Sequence, residues 1–144
     1  MYYSDLVKKA ALISFDAHKE QYDQSGYPYF MHPMALAVQF DNEETVCVAL
    51  LHDVIEDHGD KYSFEYLEKE GFGECIIDAL KLLTHERGVD YLEYVRKIKE
   101  NPIARRVKLA DLGHNTDLRR SNGEKHWKHE LYLEAIKILS EKSE

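Results

Sequence analysis

Leu50-Leu51-His52-Asp53-Val54-Ile55-Glu56-Asp57 is the stretch on which both fold and function turn. At about 100° per residue, a helix through it sets His52 and Glu56 about 40° apart, and Asp53 and Asp57 likewise. The four polar residues then share one face, and Leu50, Leu51, Val54 and Ile55 occupy the other. Clustered carboxylates repel one another and lose hydration when half buried, so they require a compensating charge. A divalent cation is the simplest candidate. Upstream, Asn42 is a natural cap and Glu43 and Glu44 suit a first turn. Val46 and Cys47 extend the apolar side, which predicts one helix over 43–57.

The flanking segments carry the same 3.6-residue period. Ser4 can cap a helix reaching about Gln21 through Leu6, Val7, Ala10, Ile13 and Ala17. The polar, Gly- and Pro-containing run 23–29 reads as a loop. His32-Pro33 opens a short helix ending near Phe40, since proline's missing N–H costs nothing in a first turn. Ser63 begins a helix to about Glu70, broken at Gly71-Phe72-Gly73, and Glu74 to Leu83 forms the next. Asp90 with Glu93 starts Tyr91 to Lys99. Asn101-Pro102 opens a helix to about Leu118, and after the polar break 120–123 the last helix runs roughly from Lys125 to Ser140. No β-alternation persists anywhere. The expectation is an all-α bundle of about seven helices, one domain over residues 1–144.

At 144 residues the chain can bury a genuine core. A net charge of −8 with no long basic run argues against a nucleic-acid polymer as partner. A phosphorylated small molecule stays open, because a bound metal adds positive charge that the formal sum omits. Cys47 and Cys75 form no CxxC pair, and each lies in an apolar helical run, so both are expected as buried, reduced thiols. With no signal-peptide pattern and no apolar run near the roughly 20 residues of a membrane span, a cytoplasmic protein without a membrane partner is expected.

Two further places offer metal ligands. His32 stands at a loop-to-helix junction, where a ring nitrogen can be aimed rigidly. Asp111 follows the run Val107-Lys108-Leu109-Ala110 and should face the interior. Two imidazoles and two carboxylates, His32, His52, Asp53 and Asp111, suit Mn²⁺, Fe²⁺ or Zn²⁺ better than Ca²⁺ and lack the thiolates of structural zinc. Glu56 and Asp57 are then left beside the ion, where metal-assisted hydrolysis needs a group to take a proton from water. Taken singly, each residue also has a plain structural reading: a solvated helix end for the acids, a helix cap for His32, a backbone-satisfied acid for Asp111. His18 and His114 read as packing histidines, and His126 and His129, at i and i+3, as a solvated pair.

Three motifs in order carry a resemblance. They are Phe15-x-Ala17-His18…Gln21…Ser25-Gly26-x-Pro28-Tyr29-x-x-His32-Pro33, then Leu50 to Asp57, then Val107-Lys108-Leu109-Ala110-Asp111-x-x-His114-Asn115. Together they resemble the HD-type hydrolase domain of the RelA/SpoT family, in size similar to its small stand-alone alarmone hydrolases. The resemblance implies an all-helical HD domain binding one Mn²⁺, with His32, His52, Asp53 and Asp111 as ligands. It implies hydrolysis of the 3′-diphosphate of guanosine tetra- or pentaphosphate to GDP or GTP and pyrophosphate. Glu56 and Asp57 become the water-activating pair, Asn115 a substrate-site residue, and Tyr132 and Lys128 contacts from the last helix.

One departure stands out. Between Gln21 and Ser25 the family usually carries basic residues, whereas this chain has Tyr22, Asp23 and Gln24. A carboxylate in place of a planar cation removes a stacking and phosphate-pairing group. Lys19, Lys61, Lys108 and Lys128 are the candidates to compensate. Another nucleotide or phosphorylated metabolite is therefore the alternative substrate. A non-catalytic metal- and nucleotide-binding module is the third reading, opposed by Glu56 and Asp57, because binding alone needs no spare acid pair.

Overall fold

Local chemistry fixes where the helices begin. In the computed structural model, which describes residues 1–141, the elements in chain order are α1 (Asp5–His18), α2 (Met31–Ala37), α3 (Glu43–Leu51), α4 (Val54–His58), α5 (Phe64–Lys69), α6 (Glu74–Leu83), α7 (Tyr91–Ile98), α8 (Pro102–Asn115) and α9 (His129–Ser140). A 3-10 turn, Leu118–Ser121, joins α8 to α9. The side chains of Ser4, Asn42, Ser63, Asp90 and Asn101 each accept from a backbone N–H of the first turn that follows. Each satisfies a donor that the helix itself leaves free. Among the described residues there is no strand, only an isolated bridge between Tyr22 and Pro28 that pinches the loop before α2. The architecture is all-α.

The core is built around α3, which is buried on every side from Thr45 to Leu51. It packs against α1, α2, α6 and α8. Leu50 and Leu51 are almost wholly enclosed, and each such side chain contributes about 1.5–3 kcal/mol by leaving water. The C-terminal end of this enclosed helix is therefore a rigid platform, and His52 is the first residue beyond it.

Four differences from the sequence expectations matter. The helix expected over 43–57 is broken at His52 and Asp53, where Asp53 takes φ −104° and ψ −2°. His52 Nδ1–H donates to the Ala49 carbonyl at 2.6 Å, the acceptor that a continuing helix would offer to Asp53 N–H. The last helix begins at His129 rather than near Lys125, because the His126 ring accepts from Lys128 N–H at 3.1 Å and holds a turn there. Residues 118–121 form the 3-10 turn instead of a helix end followed by a loop. Cys75 is exposed, while Cys47 is buried. The inward side of α6 falls on Ile76, Ile77, Ala79, Leu80 and Leu83, which leaves Cys75 outside. Among the described residues no helix is long and apolar enough to cross a membrane.

Candidate metal centre and flanking clefts

Four side chains from three places in the chain meet above the end of α3. One ligand atom from each of His32, His52, Asp53 and Asp111 lies within 4.8 Å of all the others. His32 comes from the first turn of α2, His52 and Asp53 from the break after α3, and Asp111 from the middle of α8. His32 Nε2 is 2.8 Å from Asp111 Oδ1 and 3.8 Å from Asp53 Oδ2. His52 Nε2 is 3.0 Å from Asp53 Oδ2 and 3.5 Å from Asp111 Oδ1. Despite these distances, His52 Nε2 is buried without a hydrogen-bond partner. Its other nitrogen is committed to the Ala49 carbonyl, so Nε2 is the nitrogen that faces the two carboxylates. A buried, orphaned nitrogen facing paired carboxylates fits a divalent ion.

The surrounding groups orient this cluster. Tyr29 donates its hydroxyl to Asp53 Oδ2 at 2.6 Å. The other ring nitrogen of His32, Nδ1, lies 2.7 Å from His114 Nδ1, and the two rings stack. His114 supports His32 rather than entering the cluster, and burial followed by the nearby His32 and Arg120 pushes its pKa down to about 4. Asp111 also accepts from Lys108 Nζ at 2.9 Å and from Asn115 Nδ2 at 3.1 Å.

Electrostatics describe a site that demands positive charge. Burial works to deprotonate His52, but the Asp53 and Asp111 carboxylates outweigh it and hold its pKa well above the ordinary imidazole value. Burial likewise opposes the charge on Asp111, yet the Lys108 ammonium and the two imidazoles keep its pKa well below the carboxylate range. Glu56 and Asp57 behave in the opposite sense. Both reach solvent at the mouth of the site, but the protein around them, then the Asp53 charge, raises their pKa values. Glu56 Oε1 accepts from His85 N–H at 2.9 Å, which partly offsets its rise. Asp57 Oδ2 accepts from Gln21 Nε2 at 3.2 Å, and Gln21 Oε1 in turn contacts both His18 and His58.

Two clefts flank the cluster. The larger, about 430 Å³, extends from His32, Tyr29 and Asn115 to the loop at 22–25 and the 3-10 turn. The smaller, about 200 Å³, holds Asp53, Asp111, Glu56, Lys108 and Lys128. Asn115 and Tyr132 border both. Of the lysines considered as compensation, Lys19 and Lys61 pair with Asp16 away from the clefts. Lys108 and Lys128 line the smaller cleft. His126 and His129 are not a solvated pair: His129 is buried, and His126 stacks on Tyr132 at the larger cleft. Sequence reasoning left Tyr29, Gln21 and Arg120 without roles. Tyr29 and Gln21 had a signal, since both stand in the first of the three motifs, whereas Arg120 had none.

A helical bundle presenting a His, a His-Asp pair and a distant Asp at one point is an HD-type domain, and the fold has solved counterparts. It is similar to that of a metazoan orthologue of SpoT, which hydrolyses ppGpp and plays a role in starvation responses, with a TM-score of 0.72 and 24% identity. That likeness covers 96% of this chain and 85% of the other. The chain is related to the RelA/SpoT family, as its motifs imply. A guanosine-3′,5′-bis(diphosphate) 3′-pyrophosphohydrolase of Haemophilus influenzae is 35% identical over 120 residues, which are 72% of this chain. The bifunctional (p)ppGpp synthase/hydrolase SpoT of Escherichia coli K12 is 32% identical over 122 residues, or 76% of this chain. The chain spans 17% of the length of each of these two relatives. No family model matches it.

Proposed function

We propose that this chain, as one HD unit over residues 1–144, is a divalent-metal-dependent phosphohydrolase that releases pyrophosphate from the 3′-diphosphate of guanosine tetra- or pentaphosphate. The observation that carries the reading is the convergence of His32, His52, Asp53 and Asp111, with Glu56 beside Asp53 and Asp111 in the smaller cleft. The named relatives are hydrolases of this substrate. Mixed imidazole and carboxylate donors suit Mn²⁺, Fe²⁺ or Zn²⁺, and the resemblance to the RelA/SpoT hydrolase domain selects Mn²⁺ among them. Such an ion, when bound, stabilises charge on a phosphoryl oxygen and acidifies water.

The chain's own residues supply the rest. Water adds to the phosphorus attached to O3′, the P–O3′ bond breaks, and O3′ leaves with the electron pair and takes up a proton. Glu56, raised in pKa and fixed by His85 N–H, accepts the proton from water, and Asp57, held by Gln21, is its partner in passing a proton on. Asn115, Tyr132 and Lys128 hold the nucleotide where the two clefts meet. Tyr29 fixes Asp53, one of the residues that would hold the ion.

The test is pyrophosphate release from guanosine tetraphosphate by Mn²⁺-loaded protein. His52→Ala is expected to abolish both the bound metal and the activity. Full activity in that variant refutes the metal chemistry. The Asp23 departure favours a second substrate reading, another phosphorylated nucleotide with phosphate as product. A nucleotide panel scored for phosphate against pyrophosphate separates the two.

A further inference from the structure

The larger cleft ends at a cation that the sequence places far from the loop it meets. Arg120 lies on the 3-10 turn after α8, 97 residues beyond Asp23, and the two side chains meet across the cleft wall at 3.4 Å. Arg120 Nη1 also donates to the His114 carbonyl at 2.8 Å and to Asn115 Oδ1 at 3.2 Å. The guanidinium side chain is only 25% exposed, so its position is fixed rather than sampled. Asp23 is fixed as well: its Oδ1 accepts from the N–H groups of Ser25 and Tyr27, closing the loop.

The hydrogen-bond inventory of Arg120 is incomplete in an informative way. A guanidinium carries five N–H groups on three nitrogens, and the contacts above are made by Nη1, twice, and by Nη2, once. Nη2 makes only that one contact, and Nε–H has no partner among the described residues. Those two lie side by side and form the fork that binds a pair of acceptor atoms. No aromatic ring covers the guanidinium either, although Lys61, Lys81, Arg106, Lys108 and Lys128 all lie over rings.

We infer that Arg120, held by Asp23, His114 and Asn115, is the cation that binds the nucleoside end of the substrate through the unpartnered Nε–H and the Nη2 beside it. The inference rests on the proposed nucleotide substrate and deepens it. The ligand chemistry is a pair of neighbouring acceptors. A guanine offers such a pair at O6 and N7, and a 5′-diphosphate offers it in its oxygens. The loop that lacks a basic residue between Gln21 and Ser25 thus holds an acid that positions a cation from the opposite wall. Asn115 ties this end to the metal centre, since its Nδ2 donates to Asp111 while its Oδ1 accepts from Arg120.

The test uses binding without turnover: calorimetric titration of the Mn²⁺-loaded protein with GDP, ADP and guanosine. The wild type is expected to prefer GDP over one or both of the others. Arg120→Ala is expected to erase the preference over ADP if the fork reads the base, about ten-fold or more, or the preference over guanosine if it grips the diphosphate. Either loss, with an unchanged melting temperature, supports the assignment and identifies the acceptor. If Arg120→Ala does not fold, Arg120→Lys takes its place, because lysine keeps the charge and lacks the fork. A uniform weakening toward all three ligands marks a merely structural arginine and overturns the inference. So does GDP binding at wild-type strength in the variant, or no GDP binding in the wild type. Failure to release pyrophosphate from guanosine tetraphosphate, with these preferences intact, refutes the proposed reaction and leaves Arg120 standing.

Discussion

Replacing Lys108 by Met separates the two sources of positive charge that Asp111 can use. Lys108 Nζ sits 2.9 Å from Asp111 Oδ2, with side chains 13% and 7% exposed, and it packs over the rings of Tyr94 and Tyr91. Methionine keeps much of the stem and that packing but removes the ammonium. Breaking a buried pair by deleting one partner costs about 3–5 kcal/mol, because the other charge is left uncompensated. Asp53, Asp111 and Lys108 together carry one negative charge, and the substitution doubles it. A divalent ion then gains more from binding, and each ten-fold tightening restores about 1.4 kcal/mol when the ion is in excess. The assay is urea unfolding of wild type and Lys108→Met, in EDTA and in excess MnCl₂. The variant is expected to lose the full 3–5 kcal/mol in EDTA and markedly less with Mn²⁺. Equal losses in the two conditions refute the reasoning, since Lys108 and the ion would not be sharing Asp111.

Three further outcomes follow from the same geometry. Glu56→Gln is expected to lower kcat by about 10²–10⁴-fold with the Mn²⁺ content unchanged. The raised pKa of Glu56 places the acid limb of the wild-type rate profile above the ordinary glutamate value, and that limb should vanish in the variant. In chelator, the raised pKa of His52 contributes stability that is complete below about pH 6.5 and lost as pH rises through the raised value. Unfolding in EDTA should show that decline, whereas Mn²⁺ affinity should increase over the same range as the imidazole gives up its proton. Cys75 should react with a thiol reagent in the native protein. Cys47, pushed up to about 12 by burial and then by Glu43 and Glu44, should react only on unfolding.

What the sequence made legible was what depends on near neighbours. Ser4, Asn42, Ser63, Asp90 and Asn101 cap helices because the groups they satisfy lie two or three residues away. The four cluster residues are legible too, because His-Asp, His-Pro and the apolar run before Asp111 each constrain a side chain locally. What escaped was set by distant partners. The pairing of Arg120 with Asp23 spans 97 residues. His126 is drawn to Tyr132 by ring stacking, and Cys75 faces outward only because of how α6 sits on α3.

The break after Leu51 belongs to a different category, since it is local and was still misread. Apolar spacing continues through Val54 and Ile55, so periodicity alone carries the helix on to Asp57. On an unbroken helix, however, consecutive side chains diverge by about 100°, and His52 and Asp53 would point to different places. The interruption is what lets both reach one point. It gives up a backbone hydrogen bond worth about 0.5–1.5 kcal/mol net, which the His52 Nδ1 bond to the Ala49 carbonyl offsets. That same bond commits Nδ1 to the backbone and leaves Nε2 as the nitrogen a ligand would meet once its proton is lost. The imidazole that ends the helix is thus the imidazole that completes the cluster.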